Sequence, residues 1–442
     1  MTVLADDLKG SLSSQQIAEA IARAVSNGEL THGDPLPSIR NIADTCGVSP
    51  GTAALAYRSL RERGIITSGH GRRSRVADRP PLPRQVRLPL PPGVHDLSTS
   101  SPDPGLLPDV GGFLSREVYG DTLYDTEPVE ASFRTVMAAQ FAADGIHGEL
   151  SAVNGALDGL ERVLAARLRP GDAVLVEDPQ WVSSLALFRV LGLEVVPVAV
   201  DERGMRPEAL AEAIRSRHCS AIVVTPRAQN PYGSAFTTER AEDLRRVLAT
   251  APELMVIEDD HASLIAGAPP TTLTTGREQW AVIRSMSKAL GPDLRVAIMA
   301  SDDETADRVQ GRLMLGPGWV SHLAQRLVAT VLNDPGARQQ VAEAERTYTR
   351  RREALVSGLA EHGIPSTGRS GLNVLVPVPE ESALASYLLT QGWAVRSGES
   401  FRLRSEPFLR VAVATLTEEE APELAAAFAR ALPGRRARSR AY

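Results

Sequence analysis

Cysteine is almost missing from this sequence. Cys46 and Cys219 are the only two, which rules out a disulfide framework and fits a reducing compartment. Long apolar runs are missing as well, and none reaches the length needed to cross a membrane. The opening Met1-Thr-Val-Leu-Ala-Asp-Asp has no basic stretch leading into an apolar core. No secretory signal is read there, and the expected location is the cytoplasm. A global excess of positive charge is also absent. The net charge is −6, so the chain as a whole is not a basic nucleic-acid binder. No internal repeat and no metal site are read.

What is present is a chain long enough for two or three domains, 442 residues with 43% apolar and 23% charged residues, a globular balance. Its charge is unevenly spread. From Ile39 to Val76 seven arginines stand against Asp44 and Glu62, a net of +5. One short basic segment on an acidic chain points to a separate DNA-binding module.

That module occupies residues 1–78. Ile17, Ala20, Ile21, Ala24 and Val25 fall at helical spacing behind Ser13 and Ser14. Pro37-Ser38 starts a second helix carrying Ile39, Ile42 and Ala43. After the turn Cys46-Gly47-Val48, Ser49 caps a third helix, whose apolar residues are Ala53, Leu55, Ala56, Tyr57 and Leu60. Ile65 to Thr67 and Arg72 to Val76, joined through Ser68-Gly69-His70-Gly71, read as a β-hairpin. Helix, turn, helix and basic hairpin make a winged helix-turn-helix, with the third helix in the major groove. Leu36-Pro-Ser-Ile-Arg40, Gly47-Val-Ser-Pro-Gly-Thr52 and Ala56-Tyr57 resemble the GntR family's DNA-binding domain. The resemblance implies that Arg40, Ser49, Thr52 and the wing residues Arg72 and Arg73 touch DNA, with Ser38 assisting. Pro50 and Gly51 bring no side-chain donors to that helix.

Residues 79–95 are dense in proline and lack periodicity, which reads as a semi-rigid linker. From residue 96 to 442 apolar strands alternate with helices. Strands are expected at Ala173-Val-Leu-Val-Glu, Glu194-Val-Val-Pro-Val, Ala221-Ile-Val-Val-Thr, Leu254-Met-Val-Ile-Glu, Ala281-Val-Ile-Arg and Arg295-Val-Ala-Ile-Met. Helices are expected over 156–167 and 238–248. The alternation predicts an α/β domain with a mostly parallel sheet, and ligands in such sheets collect at the strands' carboxyl ends.

One segment organises this region: Ser285-Met-Ser287-Lys288-Ala-Leu-Gly-Pro-Asp-Leu-Arg295, just after an apolar strand. A desolvated lysine beside hydroxyls and an arginine suits a Schiff base with an anchored phosphate. An exposed turn lysine accounts for this segment alone equally well. Other segments converge on it: Asn154-Gly-Ala156-Leu157 opening a helix, Glu177-Asp-Pro-Gln-Trp181, Thr225-Pro-Arg-Ala-Gln-Asn230-Pro-Tyr-Gly, Glu258-Asp259-Asp260-His261 and Phe408-Leu-Arg410. Taken singly, Asp259 reads as a helix cap, Trp181 as a core aromatic and Arg410 as a surface ion pair. In order and spacing together, they resemble class I and II aminotransferases of fold type I, the pyridoxal 5'-phosphate transferase fold with a smaller α+β domain. By that resemblance Lys288 forms the internal aldimine and Asp259 pairs with the pyridinium nitrogen. Asn230 bonds the ring hydroxyl and Trp181 stacks on the ring. Ser285, Ser287, Arg295 and the amides of Ala156 and Leu157 hold the phosphate. Arg410 pairs with a ligand carboxylate.

The sequence departs from that pattern at His261 and Trp181, where tyrosine is usual, at Leu157 in place of glutamine, and at Tyr232 in place of threonine or serine. These departures leave cofactor binding and weigh against proficient transamination. The two halves joined resemble the MocR subfamily of bacterial transcriptional regulators. That resemblance implies a homodimer on a double-stranded DNA operator, sensing an amino compound through external aldimine formation. A working aminotransferase, and a regulator for which pyridoxal phosphate itself is the signal, are the alternatives. The basic tail 435–440 reads as a solvated terminus.

Overall fold

The computed structural model describes residues 13–26, 30–62, 65–67, 74–77, 89–117, 123–124 and 126–432. It divides into two compact units between Pro89 and Leu90.

In the first unit, helix α1 (Ser14–Ser26), α2 (Ile39–Cys46) and α3 (Pro50–Glu62) precede two short strands, β1 (Ile66–Thr67) and β2 (Arg75–Val76). The strands pair antiparallel, Ile66 opposite Val76. Local chemistry sets the helix ends. Ser38 caps α2 by accepting the Asn41 N–H at 3.2 Å, and Gly47 closes it at φ 65°, a left-handed conformation that costs glycine little. Ile17, Ile21, Ile42, Ala53, Tyr57 and Leu60 form the core. The Tyr57 hydroxyl donates to the Pro37 carbonyl at 2.7 Å, tying α3 to the entry of α2. One expectation fails here. Leu55 was read with the inward residues of α3, but it is 53% exposed. It lies two positions from both Ala53 and Tyr57, about 200° around the helix, and so points away from the core they enter.

The second unit opens with β3 (His95–Asp96), which pairs with Trp393–Ala394. His95, at the end of the stretch read as linker, thus belongs to this unit. The central sheet has eight strands: β4 (Glu149–Val153), β5 (Ala173–Asp178), β6 (Glu194–Asp201), β7 (Gly204–Met205), β8 (Ala221–Val224), β9 (Met255–Asp260), β10 (Trp280–Ser285) and β11 (Ala297–Ser301). Their spatial order is β4-β11-β10-β9-β8-β5-β6-β7. The run from β10 to β6 is parallel, whereas β11 is antiparallel to both its neighbours. Strands β5, β8, β9 and β10 are buried along their whole length, which is why they read as nearly unbroken apolar runs. Arg295 was expected to begin β11. It stands ahead of that strand in a left-handed conformation, φ 50°.

Two helices run over the residues their periodicity predicts, α4 (Ala156–Arg167) and α5 (Thr238–Leu248). A short helix α6 (Ser287–Leu290) follows β10, and the long α7 (Pro335–Glu361) leads into the smaller lobe. There β12 (Asn373–Pro377), β13 (Trp393–Ala394), β14 (Arg396–Ser397) and β15 (Phe408–Ala412) are followed by α8 (Ala421–Ala431). The lobe's three-stranded sheet is antiparallel, in the order β12-β15-β14. Its apolar face packs on Leu355 and Leu359 of α7 and on Leu424 and Phe428 of α8.

Candidate cofactor and DNA sites

The parallel strands run the same way, so their carboxyl ends share one edge. Asp178 ends β5, Val224 ends β8, Asp260 ends β9 and Ser285 ends β10. Chain reversal after β4 adds Asn154 and Gly155.

Lys288 sits in α6, two residues beyond the Met286 cap, and its amine donates to the Ser100 carbonyl. Burial, and then the nearby Arg410 charge, push its pKa down to about 8, so about a tenth of the amine is unprotonated at neutrality, far more than for an ordinary lysine. Ser285 accepts the Ser287 N–H at 3.2 Å. The buried Ser287 hydroxyl has no hydrogen-bond partner among the described residues.

β9 carries three consecutive acids, and strand geometry alternates their faces. Asp260 accepts two hydrogen bonds from Arg227 at 2.8 Å and one from Arg284 at 2.9 Å. Arg284 also donates to Asp144 at 2.6 Å and lies over the Phe141 ring at 4.5 Å. Burial alone would raise the Asp260 pKa, but the two guanidiniums hold it down to about 2. Asp259 points to the opposite face. Its Oδ1 has no partner among the described residues, and its Oδ2 lies 3.9 Å from His261 Nδ1. Burial, and then Asp260, raise its pKa to about 7. Burial, and then Lys288, push His261 down to about 4, leaving its ring neutral.

Two features meet around Gly155. It caps α4 at φ 100° with no side-chain cap bond, so the first amides of the helix, those of Ala156 and Leu157, lack a partner from the cap. A Cβ at Gly155 would collide with the Arg295 guanidinium, which donates to the Asn154 carbonyl at 2.8 Å. The pair is therefore built around the missing side chain.

From the smaller lobe Arg410 reaches Asn230 Oδ1 at 3.2 Å and also donates to the Ser98 carbonyl. It lies over the Phe401 ring at 5.3 Å, and its Nε has no partner among the described residues. Its cross-strand neighbour on β14 is Arg396. Burial, and then Arg396, lower the Arg410 pKa to about 9. No carboxylate pairs with this buried guanidinium among the described residues. Trp181 begins the helix Val182–Val190 and packs with Phe401 and Phe408.

The residues singled out in this region are thus brought to one place: Lys288, Asp259, His261, Asn230 and Arg410 are linked by the contacts above. Sequence reading passed over Arg227, Arg284, Asp144, Ser98 and Ser100. The third acid of Glu258-Asp259-Asp260 was a signal for the arginines, since a buried carboxylate needs a partner.

In the first unit, Arg40, Ser49, Thr52 and Ser38 lie on or beside the exposed side of α2 and α3. Two of the expected DNA-facing hydroxyls are engaged locally. Ser49 accepts the Thr52 N–H at 3.1 Å, and the hydroxyls of Ser49 and Thr52 are 2.9 Å apart. Ser38 is occupied as the α2 cap. Arg72 and Arg73 lie outside the described residues.

Residues 13–76 match the family of bacterial regulatory proteins, gntR family, and residues 132–428 match aminotransferase class I and II. The chain is 37% identical to the vitamin B6 salvage pathway transcriptional repressor PtsJ of Salmonella typhimurium, over 95% of this chain and 98% of that protein. It is 26% identical to the HTH-type pyridoxine biosynthesis transcriptional regulator PdxR of Corynebacterium glutamicum, covering 81% of each. Among solved structures, Pyrococcus horikoshii kynurenine aminotransferase superposes with a TM-score of 0.70 at 20% identity, covering 77% of this chain and 92% of that one. This last likeness establishes the fold of the second unit. No helix among the described residues is long and apolar enough to cross a membrane. With a gntR module at one end and an aminotransferase class I and II domain over most of the remainder, the chain belongs to the MocR subfamily of GntR-family transcriptional regulators.

Proposed function

We propose that this regulator binds pyridoxal 5'-phosphate at Lys288 and uses the aminotransferase-like domain to sense an amino compound, changing its hold on a DNA operator. The observation that carries the reading is a set of unsatisfied buried groups around one lysine. Asp259 Oδ1, Ser287 Oγ and Arg410 Nε all lack partners among the described residues, and buried polar atoms are normally satisfied. A phosphorylated pyridine aldehyde offers a partner to each kind: a ring N–H for the carboxylate, a phosphate for the hydroxyl and the α4 amides, and a bound carboxylate for the guanidinium. The cofactor supplies an electrophilic carbon that a primary amine attacks.

The chain's own groups fit that use. Lys288 supplies an amine whose proton is weakly held. Asp259 is poised near neutrality and gains a full charge when a cationic N–H faces it. Asn230, fixed by Arg410, offers its amide to a ring oxygen. Ser285, Ser287, Arg295 and the amides of Ala156 and Leu157 surround a phosphate, with Gly155 giving the approach. Trp181 supplies an apolar ring for stacking. His261 enters as a neutral imidazole, a weaker acid than the phenol it replaces is a donor.

The DNA contacts belong to Arg40, Thr52, Ser49 and Ser38 with the wing arginines Arg72 and Arg73. A homodimer is part of this reading, and the second unit leaves large apolar side chains exposed for such a contact at Leu114, Leu123, Tyr124, Met314 and Leu315, the last 91% exposed. A second reading, in which pyridoxal phosphate itself is the signal, is favoured by the names of the two relatives, one a repressor of vitamin B6 salvage and the other a regulator of pyridoxine biosynthesis.

One titration separates the readings. Purified protein is saturated with pyridoxal phosphate, reduced with borohydride and digested, with Lys288→Ala alongside. A reduced adduct on Lys288, absent from the variant, is the expected result; its absence from both would end the cofactor reading. Binding to a duplex selected from a random pool is then compared without cofactor, with cofactor, and with cofactor plus amino acids. A change on cofactor addition alone supports the second reading. A change only on amine addition supports the first.

A further inference from the structure

The outward face of α3 carries an apolar group where a DNA reader is expected to carry polar ones. Pro50, Gly51 and Ala54 have no side-chain donor or acceptor. The Ser49 hydroxyl caps the helix and faces that of Thr52 at 2.9 Å. Leu55 lies one turn beyond Gly51 on the same side, 53% exposed. Arg58 lies one further turn along this face, and Arg58, Arg61 and Arg40 of α2 are all exposed. None of the three arginines forms an ion pair among the described residues. An exposed apolar side chain, with Arg58 one turn away and further exposed arginines on α2 and α3, suits a polyanion that presents a methyl group within its contact surface.

Duplex DNA is such a partner. Thymine alone among the four bases displays a methyl group in the major groove, and apolar side chains read it there. Resting on the DNA-binding reading above, we infer that Leu55 is a base-reading residue whose side chain packs on the 5-methyl group of a thymine. The exposed arginines then fix the helix through phosphates, which carry little sequence information. Base choice at this position comes from desolvating a methyl group, with no hydrogen bond from Ser49 or Thr52 required.

The test uses the full-length protein and a duplex selected by it from a random-sequence pool. Each thymine in the selected site is replaced singly by deoxyuridine, which lacks only the methyl group, and affinity is measured by fluorescence anisotropy at fixed salt. At one thymine in each bound module the replacement weakens the wild-type protein roughly 3- to 5-fold, the effect of burying about one methyl group. Leu55→Ala binds the thymine and uracil duplexes equally, while Leu55→Met keeps the preference. Circular dichroism melting of both variants establishes that the module is folded, as expected for an exposed position. The inference is overturned if no thymine is methyl-dependent, or if Leu55→Ala retains the dependence. A protein that binds no duplex even at low salt would instead overturn the DNA-binding reading on which the inference rests.

Discussion

Asp259 and Asp260 are consecutive residues of β9 held in opposite electrostatic states. Asp260 is clamped by Arg227 and Arg284 and held down to about 2. Asp259, turned to the other face, has an unpartnered oxygen and is raised to about 7. The alternation of the strand lets one position brace the fold and leaves its neighbour unsatisfied among the described residues, beside His261.

Asp259 therefore opposes stability when the cofactor is absent. Its folded pKa lies above its ordinary value of 3.8, so the folded chain holds a proton that the unfolded chain releases. The penalty is absent below about pH 4, where both states hold the proton, grows as pH rises, and is complete above about pH 7. The cofactor-free protein should melt at lower temperature near pH 8 than near pH 5. Asp259→Asn should reduce that slope by roughly 1–4 kcal/mol, Glu258 retaining a share of the same sign. The same variant should bind pyridoxal phosphate at least roughly tenfold more weakly. Scanning calorimetry and absorbance titration measure the two effects. A slope unchanged in the variant would refute the assignment.

Asp260 has the reverse sign. Its depressed pKa contributes stability above about pH 4 that is lost as pH falls through about 2. Asp260→Asn leaves Arg227 and Arg284 buried without a carboxylate between them. The expected loss is about 3–5 kcal/mol in urea unfolding at neutral pH. A loss below about 1 kcal/mol would show that the cluster does not brace the sheet.

Gly155→Ala places a methyl group against the Arg295 guanidinium at a left-handed position, φ 100°. Arg295 must move, and the approach to the α4 amides closes. Cofactor affinity should fall roughly 10- to 100-fold, at a stability cost of about 1–3 kcal/mol. Pyridoxal without its phosphate should bind the wild type and the variant alike. Equal loss for both compounds would place the effect elsewhere in the site.

Arg410→Gln removes a buried cation that has no carboxylate partner. An amino acid should lose roughly 30- to 300-fold in apparent affinity for the cofactor-loaded protein, while the matching decarboxylated amine changes little. The cofactor's absorbance shift reports both titrations. If the two ligands lose affinity together, Arg410 acts on the fold through Asn230 and Ser98, not on the ligand.

In the first unit, Tyr57→Phe deletes the hydrogen bond to the Pro37 carbonyl. Because that bond fastens α3 to the loop before α2, the variant should unfold about 1 kcal/mol more easily, with the change confined to this unit in hydrogen exchange.

The strands and helices were legible because their environment is simple. β8 and the first four residues of β10 lie inside the sheet with both faces covered, so they are apolar throughout. The 3.6-residue period marks α4 and α5 from end to end. The site was legible in part for a topological reason: parallel strands deliver their last residues to one edge, so Asn230, Asp259 and Lys288 can be placed together without coordinates. The inward assignment of Leu55 failed because an apolar residue carries no record of which side of the helix it occupies.

By itself, the sequence determined a winged helix-turn-helix followed by an α/β domain of the aminotransferase class, and the positions of the lysine, acid and amide at its strand ends. The helices and strands follow from periodicity, a property of neighbouring residues, and the class and the residue roles from a resemblance carried by local motifs. Only the tertiary structure decided which polar groups are satisfied. Arg284 meets Asp144 across 140 positions, and Lys288 meets the Ser100 carbonyl across 188. Arg410 comes from a separate lobe to meet Asn230. Pairing at such distances depends on how the strands are ordered and where the chain returns, and burial sets its energetic weight. That is why Asp259 and Asp260, alike in sequence, differ so widely in charge state.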